Sequence, residues 1–286
     1  MAVTGARGRL GRALVAELAA RGIPTIEWSR PDYDLDDPNA AAALVARDRP
    51  GLVVHAAAWT DVDGCARAPE LAQRRNGTAL GELALACAES AVGLVLVSTN
   101  EVFDGSREDG QGYREDDPVG PANPYGVSKL AGELAAREAY PGAVDGLWIV
   151  RTAWLYGPPG NDFPTKILAA ADRLTPGDPL RVVADEIGSP TYTPDLARAL
   201  LDLLEATRGG TFHLCGADVA SRFDFASAVL DRCRQGLTML PISRREFVRA
   251  SNPPPWAVLD CSAAAQLGVG IRSWREALAE YLPTIC

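Results

Sequence analysis

The first strand of this chain is so short, Met1-Ala2-Val3-Thr4, that the turn after it dominates the local fold, and that turn carries Gly5, Gly8 and Gly11 at a regular spacing. A few natural residues are expected to be missing or replaced ahead of it. Leu10, Ala13, Leu14 and Leu18 then recur at helical spacing, and Gly22 closes the segment as a C-terminal glycine. Strand, glycine turn and helix in this order bring backbone amides to a helix N-terminus, where a pyrophosphate is stabilised. Gly5, Arg7, Gly8, Arg9, Leu10 and Gly11 are therefore candidate dinucleotide contacts. The Gly-x-x-Gly-x-x-Gly spacing differs from the general Gly-x-Gly-x-x-Gly form, and a purely structural turn is the competing explanation.

The following residues continue the alternation of strand and helix that predicts an α/β fold on an open parallel sheet. Residues 23–28 form a predicted second strand, followed by Ser29-Arg30. A carboxylate at this strand end would bond the adenine ribose, whereas Ser29 leaves room, and Arg30 a guanidinium, for a 2'-phosphate. NADPH is the expected cofactor, with NADH possible, and Asp34 and Leu35 in the same loop are counted with this end of it. Glu27 is the ribose carboxylate instead if the strand is two residues out of register; an arginine merely solvated on a loop is the other alternative. A helix over residues 40–47 leads to a third strand over 52–58. Its last residues, Ala56, Ala57 and Ala58, are small enough for a flat ligand to lie against the backbone. His55, inside that strand, is expected to be a satisfied core histidine. Residues 70–91 predict one long helix, in which Asn76 and Gly77 mark a kink or a buried polar contact.

A fourth strand over 93–97 delivers Ser98, Thr99, Asn100 and Glu101 to the C-terminal edge of the sheet, where open parallel sheets bind ligands. Residues 104–122 predict a surface loop, and a helix follows over 125–140 with Asn123 as N-cap and Pro124 in its first turn. Tyr125 and Lys129 are four apart and share one face of that helix. A free phenol titrates near 10 and is a poor proton carrier at neutral pH. An ammonium ~5 Å away, at an effective dielectric of ~20, favours the phenolate by ~3 kcal/mol and brings it toward the working range. Thr99 adds a hydroxyl that can hold a carbonyl oxygen, and a nicotinamide supplies the hydride that side chains cannot. A Tyr-x-x-x-Lys pair is common by chance. Its place after a glycine turn, an alanine strand end and a Ser-Thr strand end gives it weight.

The second half opens with a fifth strand over 146–150, then loosens around Pro158, Pro159, Gly160, Pro164, Pro176, Gly177 and Pro179. A helix over 194–207 precedes a strand near 211–214 that returns to the main sheet, so the C-terminal lobe is discontinuous in sequence. A closing helix is expected over 274–282, with Trp256 and Trp274 in the core of the lobe.

The totals exclude several classes. A formal charge of -9 with no Lys/Arg cluster on a predicted helix removes the footprint of a nucleic-acid binder. Hydrophobic residues at 47% and charged residues at 23% over 286 residues argue for a large folded core rather than a disordered chain. The six cysteines show no short Cys-x-x-Cys spacing; reduced, mostly buried thiols are expected and no metal. No apolar run approaches the ~18 residues of a spanning helix, and a soluble, cytoplasmic protein without a membrane partner is expected.

The chain resembles the extended short-chain dehydrogenase/reductases, and within them the dTDP-4-dehydrorhamnose reductase group. The resemblance spans nearly the whole length and rests on residues 4–11, 55–63, 98–99 with 102–105, 123–133, 151–157 and 185–191. It implies a Rossmann-type doubly wound parallel sheet over residues 1–150 and a smaller C-terminal α/β substrate lobe within 151–286. It also implies Thr99, Tyr125 and Lys129 as the catalytic set, Lys129 on the nicotinamide ribose, and Trp154 enclosing a sugar. The implied reaction is reduction of the 4-keto group of a nucleotide-linked deoxysugar by NADPH. Asn100-Glu101 departs from the Asp-Tyr of this group and is assigned to the substrate side. Thr-x-Glu is similar to the Thr-Asp-Glu of sugar-nucleotide 4,6-dehydratases, but an amide at 100 cannot protonate a leaving hydroxyl. A dehydratase or epimerase of the same superfamily is the first alternative, a non-catalytic dinucleotide-binding regulatory subunit the second. Ala13 stands where some members carry a glutamate for a metal at a dimer interface, so a monomer or weak homodimer is expected.

Overall fold

The computed structural model describes residues 1–142 and 145–286. The first half runs β1 (Ala2–Thr4), α1 (Arg9–Ala20), β2 (Ile26–Trp28), α2 (Ala40–Asp48), β3 (Leu52–His55), α3 (Val62–Arg67) and α4 (Pro69–Ala72). It continues with α5 (Ala79–Glu89), β4 (Gly93–Thr99), α6 (Pro124–Ala139) and β5 (Leu147–Thr152). The second half holds β6 (Leu155–Tyr156), α7 (Phe163–Ala171), β7 (Leu180–Val183), β8 (Ile187–Gly188), β9 (Thr191–Tyr192), α8 (Thr193–Ala206) and β10 (Gly210–His213). It ends with β11 (Ala220–Ser221), α9 (Arg222–Cys233), β12 (Met239–Ile242), α10 (Ser262–Gln266) and α11 (Trp274–Tyr281).

Six strands form one parallel sheet in the order β10-β5-β4-β3-β1-β2. The order switches direction at β1, and the strand ends there open the crevice in which doubly wound sheets hold ligands. Parallel strands need cover on both faces. Leu44 and Val45 of α2, Leu80 and Leu83 of α5 and Ala136 of α6 pack on one face against Val53, Leu94 and Leu96. Leu10, Leu14 and Leu18 of α1 and Leu196, Leu200 and Leu203 of α8 pack on the other against Val3, Val54 and Val95. β10 pairs with β5, placing Phe212 opposite Val150. A separate aromatic core of Tyr156, Tyr192, Phe225, Trp274 and Tyr281 holds the lobe.

Where local structure differs from the sequence-based expectation, a hydrogen bond gives the reason. β2 starts at Ile26 because the Ile23 amide donates to the Leu18 carbonyl at 2.9 Å, finishing α1 after the left-handed Gly22; Pro24 has no amide to offer a ladder. β3 stops at His55, and the Ala57 amide instead donates to the Thr4 hydroxyl at 3.1 Å. The predicted long helix over 70–91 is interrupted by π-helical turns at Gln73–Thr78. Asn76, in those turns, is buried: it accepts from the Trp59 amide at 2.8 Å and donates to the Trp59 carbonyl at 3.0 Å and the Ser128 hydroxyl at 3.1 Å. Interruption and buried contact are thus one device. Trp274 lies in the lobe core, whereas Trp256 packs half-buried against a separate cluster around Phe103, Tyr113 and Leu259, its indole N–H donating to the Gln111 carbonyl at 2.8 Å. The expectation of six thiols is also corrected, because Cys233, the last residue of α9, is disulfide-bonded to Cys286. Folding of the lobe brings together two residues 53 apart in sequence. Among the described residues no helix is long and apolar enough to cross a membrane.

Candidate active site

The glycine turn is held by backbone contacts. Gly5 has φ +62°, and a Cβ there would lie 2.9 Å from the Ala57 backbone; a Cβ on Gly11 would lie 2.1 Å from the Gly5 carbonyl oxygen. Turn, β3 end and α1 therefore approach as closely as backbones can. Gly8 opens α1 without a side-chain cap, so the first-turn amides remain available to an anion. The Ser29 hydroxyl accepts from the Arg7 amide at 3.3 Å and draws the end of β2 against the turn. Arg7 and Arg30 are exposed beside it, and Ala56, Ala57 and Ala58 are half-buried along the crevice. Leu10 and Leu35 turn their side chains into the two cores, and Asp34 accepts from the Asp36 amide at 3.1 Å. The side chain of Arg9 is engaged elsewhere. Its guanidinium donates to the carbonyls of Leu155 at 3.3 Å, Gly160 at 3.2 Å and Asn161 at 2.6 Å, leaving only its backbone for a phosphate.

The proton-handling face is assembled by the docking of α6 on the end of β4. Asn123 caps α6 by accepting from the Gly126 amide at 2.9 Å, with Pro124 in the first turn. A Cβ on Gly126 would lie 2.1 Å from the Glu101 carbonyl oxygen, so the first turn of α6 sits directly on the chain after Thr99. That contact puts Tyr125 next to Thr99, whose hydroxyl donates to Asn100 Oδ1 at 3.2 Å and accepts from the Glu101 amide at 3.2 Å. One turn on, Lys129 is buried and its Nζ donates to the Val97 carbonyl at 2.8 Å. Among the described residues its other two N–H donors have no protein acceptor, which fits the diol of a nicotinamide ribose. Glu133, a further turn along, accepts from the Ser98 hydroxyl and pairs with Arg151 of β5 at 2.8 Å, clamping α6 to both strands.

Burial pushes the Tyr125 phenol above its ordinary value, the Glu101 carboxylate adds to the effect, and the Thr99 hydroxyl opposes it. The expected lowering of this phenol by Lys129 is not what the fold produces, because the ammonium is turned to Val97. Lys129 itself is held down to about 8 by burial, against the pull of Glu133. His55 falls to about 3 through burial and the Lys129 charge. Its Nδ1 lies 3.0 Å from the Thr4 hydroxyl, so it is a neutral core histidine.

The opposite side of the crevice is built from side chains. Asn100 is buried and its amide donates to the Ala257 carbonyl at 2.9 Å, so it does not open to the pocket as expected of a substrate contact. Glu101 does: it is half-buried and accepts from Asn123 Nδ2 at 2.6 Å. Burial raises its pKa, with Asn123, Arg222 and Arg249 pulling the other way. Trp154, at φ +44°, lays its indole over Gly188, where a Cβ would come within 2.6 Å of the ring. The Arg222 guanidinium stacks 3.5 Å from the indole centroid and pairs with Glu186 at 3.5 Å. Arg249 pairs with Asp63 at 3.0 Å. Sequence reasoning missed Arg222 and Arg249. Ser221 and Asp224 form a capping box, a pattern that could have placed Arg222 at a helix start, but its neighbours at 154 and 186 come from distant stretches.

A phosphate cradle and a proton-handling face opening on one crevice define a dinucleotide-dependent oxidoreductase. The chain belongs to the RmlD substrate binding domain family, which matches residues 1–285. It is 38% identical to the dTDP-4-dehydrorhamnose reductase of Mycolicibacterium smegmatis, over 99% of this chain and 85% of that one. The crystal structure of a dTDP-4-dehydrorhamnose reductase from Clostridium acetobutylicum matches with a TM-score of 0.91 and 32% identity, covering 99% of this chain and 98% of that one. The Bacillus anthracis dTDP-4-dehydrorhamnose reductase in complex with NADP matches with a TM-score of 0.90 and 31% identity, at the same coverage.

Proposed function

We propose that this chain reduces the 4-keto group of a nucleotide-linked deoxysugar with NADPH, as a dTDP-4-dehydrorhamnose reductase-like enzyme of deoxysugar biosynthesis. The observation that carries the proposal is the docking of α6 on the Glu101 backbone, which sets Tyr125 within hydrogen-bonding reach of Thr99 with Lys129 sealed one turn behind. When bound, the reduced nicotinamide supplies hydride to the carbonyl carbon. The Thr99 hydroxyl holds O4 and Tyr125 protonates it. An alkoxide at O4 is a far stronger base than a phenolate, so the transfer is downhill even from a phenol whose pKa burial has raised. Lys129 holds the ribose diol, and its charge stabilises the phenolate left behind.

The cofactor would lie along the amides of residues 8–11, with Ser29 and Arg30 at the 2'-phosphate and Ala56 to Ala58 under the adenosine. Glu101, Trp154 and Arg222 would face the nucleotide sugar. In this division residues 1–150, with α8 and β10, serve the dinucleotide, and the remainder of 151–286 mainly serves the substrate. Dehydration is disfavoured because Asn100, at the acid position, is an amide turned to Ala257. A monomer or weak homodimer is expected, in the cytoplasm, where NADPH and nucleotide sugars meet. The test is NADPH oxidation with a dTDP-4-keto-6-deoxy sugar, comparing the natural chain with Tyr125→Phe. Loss of a proton donor is expected to lower kcat by about 10²–10⁴. Equal rates would sink the assignment, and no turnover by either, with a stoichiometric partner co-purifying, would favour the regulatory subunit.

A further inference from the structure

Four cysteines lie outside the Cys233–Cys286 bridge, and two of them are not independent. The sulfurs of Cys215 and Cys261 are 3.3 Å apart across a sequence separation of 46. Cys65 and Cys87 are buried singly, and burial pushes their thiols up to about 11 and about 12. Cys215 behaves in the opposite way: hydrogen bonding from Cys261 holds its pKa below the ordinary value. Cys261 is half-buried, so the pair is not wholly closed off from solvent.

The pair also sits at a mechanically special place. Cys215 follows β10, where the chain leaves the main sheet for the lobe. Cys261 is the N-cap of α10, where the chain returns to the sheet body, with Ala264 in its core. Between them lie β11, α9 and β12. The returning segment carries the Ala257 carbonyl that holds Asn100, the residue next to Thr99.

We propose that Cys215 and Cys261 are a peroxide-sensitive dithiol that closes into a second disulfide and ties the outgoing and returning segments of the lobe together at the sheet body. The Cys215 thiolate attacks hydrogen peroxide: an S–O bond forms, the O–O bond breaks and hydroxide leaves. The Cys261 sulfur then attacks the sulfenic sulfur. The S–S bond forms, the S–O bond breaks, and the departing hydroxyl takes the thiol proton as water. Two electrons pass from the sulfur pair to peroxide, which is reduced to water. Tying both crossing points limits movement of the lobe over the crevice and slows turnover.

The experiment uses the full chain treated with stoichiometric hydrogen peroxide, quenched with catalase, alkylated and mapped by mass spectrometry. The expected map links the Cys215 and Cys261 peptides while Cys65 and Cys87 remain alkylated. In Cys261→Ser the link is absent, and dimedone traps Cys215 as the sulfenic acid. The thermal midpoint should rise on oxidation, and kcat/KM for NADPH-dependent sugar reduction should fall roughly tenfold, as for gated enzymes with a restrained lobe. Both changes should reverse with dithiothreitol, also in a Cys233→Ser, Cys286→Ser background. Separate alkylation of Cys215 and Cys261 after peroxide overturns the proposal, and a link with unchanged turnover overturns its effect on catalysis. The peptide map and thermal midpoint need no turnover, so failure here is distinct from failure of the reductase assignment.

Discussion

On the dinucleotide side of the crevice, Gly5 and Gly11 lie against the Ala57 backbone and the Gly5 carbonyl with no room for a Cβ. On the proposed sugar side, Glu101, Trp154, Arg222 and Arg249 converge from four separate stretches of chain. The first wall is made by main-chain sterics and is indifferent to charge. The second is held by stacking and ion pairs, such as Arg222 on Trp154 and Glu186. A backbone cradle recognises what is common to all dinucleotides, whereas a cluster of side chains can be retuned one residue at a time for a particular sugar.

Substitutions that treat the two walls differently test this contrast. Gly11→Ala should have the largest effect, because its Cβ meets a backbone oxygen at 2.1 Å. Overpacking at backbone should cost about 3 kcal/mol or more of stability and abolish NADPH binding, measured by denaturant titration and nucleotide fluorescence. Lys129→Met should lower kcat by about 10²–10³ through loss of electrostatic support. Its stability should move in the opposite direction. The folded pKa of Lys129 is about 8, below its ordinary unfolded value, so the unfolded chain binds more protons between pH 8 and about 10.4 and stability rises with pH across that window. Below pH 8 the buried charge costs about 3 kcal/mol. Lys129→Met should lack the rise between pH 8 and 10 in denaturation experiments, and a slope equal to that of the natural chain would refute it. In the natural chain, activity should decline on the alkaline side from pH 8 as the ammonium is lost.

On the sugar wall, Arg222→Ala should raise the substrate KM roughly tenfold while leaving the NADPH Kd unchanged, a split that separates binding from fold. Equal weakening of both ligands would remove the distinction between the walls. The smallest effect is expected for Arg30→Ala, whose exposed guanidinium should contribute about threefold to tenfold in the preference for NADPH over NADH. An unchanged preference in paired titrations would take Arg30 out of the cofactor site.

Local order along the chain was the legible part. Asn123-Pro124 announced a helix start, and Tyr125 and Lys129 share a face because that relation is set by helix geometry over four residues. Asn76-Gly77 announced the interruption, since an amide inside an apolar helix needs a partner. The side chain of Arg9 was not legible for the converse reason. Its neighbours in sequence suggest a phosphate, but its guanidinium finds three carbonyls at 155, 160 and 161. Asn100 and Glu101 are adjacent, yet one is turned inward to Ala257 and the other outward to Asn123. No periodicity distinguishes them.

From residue order alone came the strand–turn–helix start and the shared face of Tyr125 and Lys129, which depend on spacings of a few residues, and the doubly wound class, which follows from the alternation of strand and helix patterns. Only the tertiary structure decided that Lys129 donates to Val97 rather than lowering the Tyr125 phenol, that Arg222 stacks on Trp154, and that Cys215 meets Cys261. Those relations join residues 32, 68 and 46 positions apart. At such separations the packing of whole elements, rather than the local period of the chain, determines which groups meet.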